Sequence, residues 1–285
     1  MTRGRPRLLE SFLTHALLLC AVAFALYPIL WVISLALSGS DTPEPRVLPI
    51  PDQPTLKHLK EVTTGSPDGH PVPLFARQFA NSLLVSSATA LVGIAIAIPA
   101  AYALARFRFL GKDFGVRALL ATQMFPAVAS AVPLYIILDK LGLLDSRTGL
   151  ILCYASTSVP FAIFQLRAAF EAIPVDLEEA AMVDGATRTQ AFLRVALPAA
   201  RPAIAVTALF AFMSAYNEFI LAATLVSKES MFTLPVVLQR YVGEYNTNLP
   251  AFAAGALIVS PPVMVLFYLL QKHLVAGLTA GAVKG

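Results

Sequence analysis

QFANSLLVSSATALVGIAIAIPAAYALA, residues 78–105, runs for 28 positions without Asp, Glu, Lys, Arg or His. A helix needs about 20 apolar residues, each rising ~1.5 Å, to cross a bilayer. This run is longer than that. It lacks the alternation at every second residue that a barrel strand would show. Similar charge-free runs occupy 16–40, 118–138, 148–166 and 245–271, and 202–227 is interrupted only by Glu218. The pattern predicts an all-α polytopic membrane protein with six transmembrane helices. Composition agrees: 57% of the 285 residues are hydrophobic and 13% charged, against about 25% charged in soluble domains. Soluble and disordered classes are excluded. Cys20 and Cys153 both lie in apolar runs, so a disulfide scaffold is excluded as well.

The charges between the runs give an orientation. With the N-terminus inside, 13 of the 21 basic residues fall on inner segments, among them Arg3, Arg5, Arg106, Arg108, Arg188 and Lys272. Cytoplasmic segments carry such an excess. Both termini are therefore expected in the cytoplasm. The chain divides into an inner tail (1–11), a first span (12–38), an outer loop (39–77), a core with the other five spans (78–272) and an inner tail (273–285). The net charge of +4 is then a topology signal, and no nucleic-acid partner is expected. The first run exceeds the 7–15 residues, roughly, of a signal-peptide core, so an uncleaved first helix is expected. Pro28, Pro99, Pro126, Pro133, Pro160 and Pro261-Pro262 lie inside spans. They act either as ordinary kinks or as bends along a moving pathway. The outer loop is too polar to enter the membrane and too short for a domain of its own. The partly apolar segment 227–244 reads as a short helix or a re-entrant loop.

The inner segment 174–202, PVDLEEAAMVDGATRTQAFLRVALPAARP, is the informative one. Asp176 with Glu179 reads as a capping pair opening a helix, and Thr187 with Gln190 repeats the signal. Gly185 is placed to end the first helix in a left-handed turn. Pro198 is expected to stop the second. The result is a helical hairpin, either an unpartnered surface feature or a docking element.

Glu179-Ala180-Ala181, Asp184-Gly185-Ala186 and Leu197-Pro198 resemble the EAA loop of bacterial ATP-binding-cassette (ABC) importer permeases. Val195 stands where that family often has isoleucine. AYALARFRFLGK (101–112), Asn81-Ser82, QMFPAV (123–128), YNEFILA (216–222) and the tail GLTAGAVKG (277–285) look like the sugar-importer branch. The nearest likeness is to the maltose/maltodextrin second permeases. The resemblance implies a type I fold in a bacterial inner membrane. It implies that Asp176, Glu179, Ala180, Ala181, Asp184, Gly185, Leu197 and Pro198 couple to an ATPase as a coupling helix between spans 4 and 5. The tail Val283-Lys284-Gly285 would reach between two ATPase subunits. The implied partners are a homologous second permease, two ATPases carrying ATP-Mg, an external sugar-binding protein and membrane lipid.

The chain has no G-x-x-x-x-G-K-[ST] phosphate loop, so it is expected to bind no ATP or other cofactor itself and not to be an enzyme. His15, His58, His70 and His273 are scattered without ligand spacing, and no metal site is expected. Glu218 is the one acid inside a span. An ionised carboxylate there costs a few kcal/mol unless it faces protein or water. Tyr216, Asn217 and Glu218 are therefore candidates for the translocation path, with a structural link to a neighbouring helix as the other reading. Tyr102, Phe125, Phe212 and Tyr216 suit sugar stacking or helix packing. A proton-coupled secondary sugar transporter using Glu218 is the alternative function, although no inverted repeat is evident.

Overall fold

A computed structural model describes residues 8–43, 47–51, 53–64, 74–243 and 247–282. Helices dominate, and among these residues the only extended pairing is a single bridge between Val242 and Thr247. The helices are α1 (Leu8–Ala36), α2 (Lys57–Thr64), α3 (Leu74–Arg106), α4 (Lys112–Met124), α5 (Ala127–Lys140), α6 (Arg147–Ala172) and α7 (Asp176–Val183). They continue as α8 (Arg188–Ala199), α9 (Arg201–Tyr216), α10 (Ile220–Leu225), α11 (Leu234–Gln239), α12 (Leu249–Val259) and α13 (Pro261–Ala282). The tail residues Val283, Lys284 and Gly285 lie outside the described residues.

Among the described residues, four segments are long and apolar enough to cross a membrane: Glu10–Ala36, Leu74–Arg106, Arg147–Ala172 and Leu249–Gln271, the last running from α12 into α13. Two bent pairs, Lys112–Met124 with Val128–Lys140 and Arg188–Ala199 with Arg201–Tyr216, bring the number to the expected six only if each is one span. The run at 118–138 is not one helix, because α4 and α5 meet at 103°. Phe125 is extended (φ −79°, ψ 128°) ahead of Pro126. A proline ring pushes the residue before it out of the helical region. The run at 202–227 is not one helix either. It breaks after Tyr216 and resumes as α10.

Pro198 does not stop α8, contrary to expectation. Residues Phe192–Ala196 adopt a wider π turn, in which Leu197 N–H donates to the Phe192 carbonyl five residues back. The widened turn accommodates the ring that would strike the carbonyl four residues earlier. The chain bends by 70° only between Ala199 and Arg201, ahead of Pro202. Pro28, Pro99, Pro133 and Pro160 sit inside unbroken helices.

The chain forms two compact units, residues 1–75 with 238–260 and residues 76–237 with 261–285. In the first, α1 and α2 both pack on α12. The outer loop is thus no separate domain, but neither is it a free strap. Thr55 N–H donates to the Leu37 carbonyl at 2.9 Å, and the Tyr27 hydroxyl donates to the Val47 carbonyl at 2.7 Å. His58 and Val62 of α2 are buried along with Ala251, Ala253 and Ala254 of α12. Asn248 caps α12, accepting from Ala251 N–H at 2.9 Å.

In the second unit, α9 packs on α6 and α13, and α10 on α5 and α6. Its core joins Ala97, Ala101 and Tyr102 of α3 to Ala162, Leu166 and Phe170 of α6 and to Ala196 and Ala200. Small residues let membrane helices approach closely, where dispersion and interhelical hydrogen bonds replace the hydrophobic effect. The irregular segment 227–233 is held by side chains at the start of α3. Gln78 donates to the Glu229 carbonyl at 3.0 Å, and Asn81 to the Ser230 and Phe232 carbonyls at 2.9 and 3.2 Å. Ser82 Oγ accepts from Leu234 N–H at 2.7 Å, and Arg147 Nε donates to Asn81 Oδ1 at 2.8 Å. Phe232, Leu234, Val236 and Val237 are buried.

The turn between α5 and α6 is equally constrained. A Cβ on Gly149 would sit 2.3 Å from the Leu143 carbonyl oxygen and 3.2 Å from Ser146 Oγ, the α6 N-cap. Gly149→Ala should therefore lower stability by about 1–3 kcal/mol, the usual range for overpacking. A thermal melt of the detergent-solubilised protein would show it. Asp145, at φ 54°, accepts at Oδ1 from Ser227 N–H (2.6 Å) and Lys228 N–H (3.0 Å), while its own N–H donates to the Leu225 carbonyl. The two donated bonds hold its carboxyl below the usual carboxylate range. Because the folded state favours the ionised form, this stabilisation is complete above the unfolded value of about 4. It disappears as pH falls through the folded value. Amide protection at Ser227 and Lys228, measured against the intrinsic exchange rate at each pH, should thus hold from pH 7 to 5 and fall below about pH 4, and Asp145→Asn should remove that dependence.

Candidate functional site

The 174–202 hairpin is built by local signals. The helix α7 opens on Val175, which has helical φ/ψ and no side-chain cap. Asp176 is the first helical residue, so the Asp176–Glu179 capping pair is not formed. Instead Asp176, Glu178 and Glu179 place three carboxylates in the first turn, where the partial positive charge of the helix N-terminus favours them. At the other end Gly185 takes φ +90°. Ala186 N–H donates to the Ala181 carbonyl and Gly185 N–H to the Met182 carbonyl, both at 3.0 Å. This six-to-one and five-to-two pair is the Schellman ending, and its left-handed residue favours glycine. The second helix opens with the expected capping box: Gln190 N–H donates to Thr187 Oγ1, and Thr187 N–H donates to Gln190 Oε1.

The two faces of α7 differ sharply. Asp176, Leu177, Glu179, Ala180, Val183, Asp184 and Gly185 are exposed, Val183 to 88%. Ala181, Leu197 and Pro198 are half-buried. A short helix that exposes leucine and valine between carboxylates carries the mixed apolar and acidic surface of a docking element.

The buried face holds a cluster the sequence reading passed over. Glu178 and Arg106 keep only 6% and 9% of their side-chain surface. Arg106 Nε donates to Glu178 Oε1 at 2.6 Å, and its Nη2 donates to the Ile173 carbonyl at 2.8 Å. The Tyr102 hydroxyl donates to the other carboxylate oxygen, Oε2, at 2.5 Å. Around them pack Phe107, Phe170 and Phe192, with ring centroids 5.9, 5.5 and 4.3 Å from that of Tyr102. Arg188 lies over the Phe107 ring at 5.4 Å. Removing one partner of such a buried pair leaves an uncompensated charge, at about 3–5 kcal/mol. The available signal was a tyrosine and an arginine four residues apart, hence on one helix face, at the end of a charge-free run.

The second feature is a cavity of about 790 Å³ in the second unit, at the α4–α5 bend. Its wall carries Thr122, Gln123, Ser130, Ser156, Thr157, Ser214 and Glu218, with Phe125, Pro126 and Pro133. A smaller cavity of about 260 Å³ shares Gln123, Thr157 and Ser214 with it. Neutral hydroxyls and an amide thus dominate its polar lining. Glu218 reaches this wall, but both its oxygens also cap α10, accepting from Leu221 N–H at 3.0 Å and Ala222 N–H at 3.1 Å. Asn217 is exposed. Tyr216 is buried and stacked on Phe212, centroids 5.4 Å apart at 18°. Of the aromatic candidates, Phe125 lines the cavity and Tyr102 belongs to the Glu178 cluster. Among the described residues no group of three or more His, Cys, Asp or Glu side chains is placed to hold a metal.

A family model described as "Binding-protein-dependent transport system inner membrane component" matches residues 73–279. The chain is 37% identical over 266 residues to the trehalose transport system permease SugB of Mycobacterium tuberculosis, covering 93% of this chain and 94% of that one. Over 298 aligned positions it is 35% identical to the maltose/maltodextrin permease MalG of Vibrio vulnificus, covering 100% and 99%. Among solved structures, a bacterial ABC transporter for the acidic polysaccharide alginate superposes with a TM-score of 0.75 at 25% identity, covering 95% of this chain and 99% of that one. The chain therefore belongs to the binding-protein-dependent inner-membrane components, as a multi-pass permease subunit of a bacterial ABC sugar importer.

Proposed function

We propose that the imported sugar is a maltose or maltodextrin oligosaccharide, and that the exposed face of α7 docks a separate ATPase subunit. The α7 surface carries the docking reading. Asp176, Glu179, Ala180, Asp184 and Gly185 are exposed on a rigidly capped hairpin, in a chain without a phosphate-binding loop. The ATP and magnesium belong to the partner. Leu197 and Pro198, half-buried near the end of α8, are assigned to the same coupling surface. The tail residues Val283, Lys284 and Gly285 are assigned a contact with the same ATPase pair on the family resemblance alone. In this reading both termini and the hairpin face the cytoplasm, a homologous second permease completes the path, and an external binding protein delivers the sugar.

The cavity at the α4–α5 bend supports a neutral, hydroxylated cargo, because its polar groups suit exchange of hydrogen bonds with a sugar. Glu218 sits on its wall as the cap of α10. Two backbone N–H donors hold that carboxylate, an arrangement that suits a fixed structural acid better than a mobile proton carrier. Maltose is placed ahead of trehalose on the long outer loop and the tail; in overall identity the trehalose permease, at 37%, matches the chain as well as the maltose permease does, at 35%.

Two measurements test this reading. Gly185 has open space around its Cα, but φ +90°, so Gly185→Val strains only the backbone, by about 1–2 kcal/mol. That variant should reduce ATPase co-purification and sugar uptake together while the subunit still accumulates in the membrane; wild-type coupling would refute the docking role. In proteoliposomes holding the whole complex, maltose and maltotriose should stimulate ATP hydrolysis more than trehalose or galactooligosaccharides do. A trehalose optimum would overturn the maltose assignment and leave the docking role intact.

A further inference from the structure

We propose that Glu178, Arg106 and Tyr102 form the joint through which movement of α7 reaches the membrane helices, acting as positioning residues for coupled transport. The proposal rests on the reading that α7 docks an ATPase. It adds what happens on the other side of that helix.

The geometry is that of a three-way junction. Arg106 is the last residue of α3. Through Nε it holds α7, and through Nη2 it donates to the carbonyl of Ile173, the C-cap residue of α6. Tyr102, one turn earlier in α3, holds the second oxygen of the same carboxylate. One glutamate is thus gripped from two positions of one helix, and one guanidinium bridges two further elements. A planar guanidinium with donors in a fixed fork resists rotation in a way a single ammonium contact does not. A push on the exposed face of α7 is therefore passed to α3 and α6 as one body.

The surroundings reinforce this. Tyr102 is wedged among Phe107, Phe170 and Phe192. Arg188, at the start of α8, lies over the Phe107 ring. Both arms of the hairpin are therefore tied to the 102–107 stretch. Glu178 differs in kind from its neighbours Asp176 and Glu179, which are exposed on the docking face. Three acids within four residues have divided roles: two face outward, and one faces the bundle.

The test uses the complete transporter in proteoliposomes, with Glu178→Gln, Tyr102→Phe and Arg106→Lys. Three quantities are read: co-purification of the ATPase subunits, ATP hydrolysis and sugar taken up per ATP. Glu178→Gln should co-purify its ATPase as wild type does, while sugar per ATP falls by about tenfold, in the range of a lost coupling. Tyr102→Phe keeps the ring packing and removes only the hydroxyl, so it should fall less but in the same direction. Arg106→Lys cannot span both the carboxylate and the Ile173 carbonyl and should resemble Glu178→Gln. If Glu178→Gln does not accumulate, Tyr102→Phe decides alone. Unchanged sugar per ATP would overturn the proposal. Loss of ATPase co-purification in both Glu178→Gln and Tyr102→Phe would also overturn it, by making the cluster part of the dock. Failure of the docking reading itself looks different: the wild-type chain would co-purify no ATPase.

Discussion

A peptide group in lipid has no water to turn to, so each interruption of a membrane helix must have its freed N–H and C=O groups met from elsewhere. The structure is organised around how this chain meets that demand. At Phe192–Ala196 the backbone shifts to a π turn and carries the helix past Pro198. After Tyr216 the helix breaks, and the Glu218 carboxylate receives the N–H groups of Leu221 and Ala222. The irregular segment 227–233 hands its first two N–H groups to Asp145 and its later carbonyls to Gln78 and Asn81, and the next N–H group, of Leu234, goes to Ser82. Gln78, Asn81, Ser82, Asp145 and Glu218 are all of this sort. They complete backbone that could not complete itself.

That constraint explains which parts of the fold were legible. Charge-free runs report length and polarity, and they fall on the four helices of spanning length and overlap both bent pairs. They do not report continuity. The 118–138 and 202–227 runs read as whole because no charge interrupts them, yet Pro126 forces Phe125 extended and the second run breaks after Tyr216. Local capping chemistry was legible where it depends on backbone stereochemistry. Gly185 is left-handed as expected, and Thr187 with Gln190 forms its box. It misled at Asp176, because Val175 already has helical torsions and moves the helix start one residue earlier.

Contacts between distant positions were the least legible. The Arg106–Glu178 pair spans 72 residues, and no periodicity announces it. Glu178 was visible only as one acid in a cluster. His58 is a similar case, fully buried in α2 at 3.5 Å from Glu61 and 3.7 Å from Asp41. In a loop rich in Pro, Gly and Asp, nothing marks it as an inward residue. Glu218 illustrates the intermediate situation. Its isolation in an apolar run singled it out, but the choice between path and structural link needed the positions of two backbone N–H groups. Its carboxylate caps α10 and stands on the wall of the cavity as well.

The energetics of the Glu178 cluster bear on why an ion pair stands there at all. Burying a carboxylate and a guanidinium forfeits the hydration of both, and their mutual attraction roughly offsets that loss. An apolar pair of similar volume would hold α7 to α3 about as tightly in free-energy terms. It would not hold it in one orientation, because dispersion contacts tolerate sliding and rotation at little cost. Directed hydrogen bonds to both oxygens of one carboxylate, with a third to the Ile173 carbonyl, penalise small displacements in several directions at once. The cluster therefore contributes little to how stably the hairpin is attached and much to how stiffly. Stiffness is the property that the proposed coupling requires of a helix exposed on one face and tied to α3 on the other.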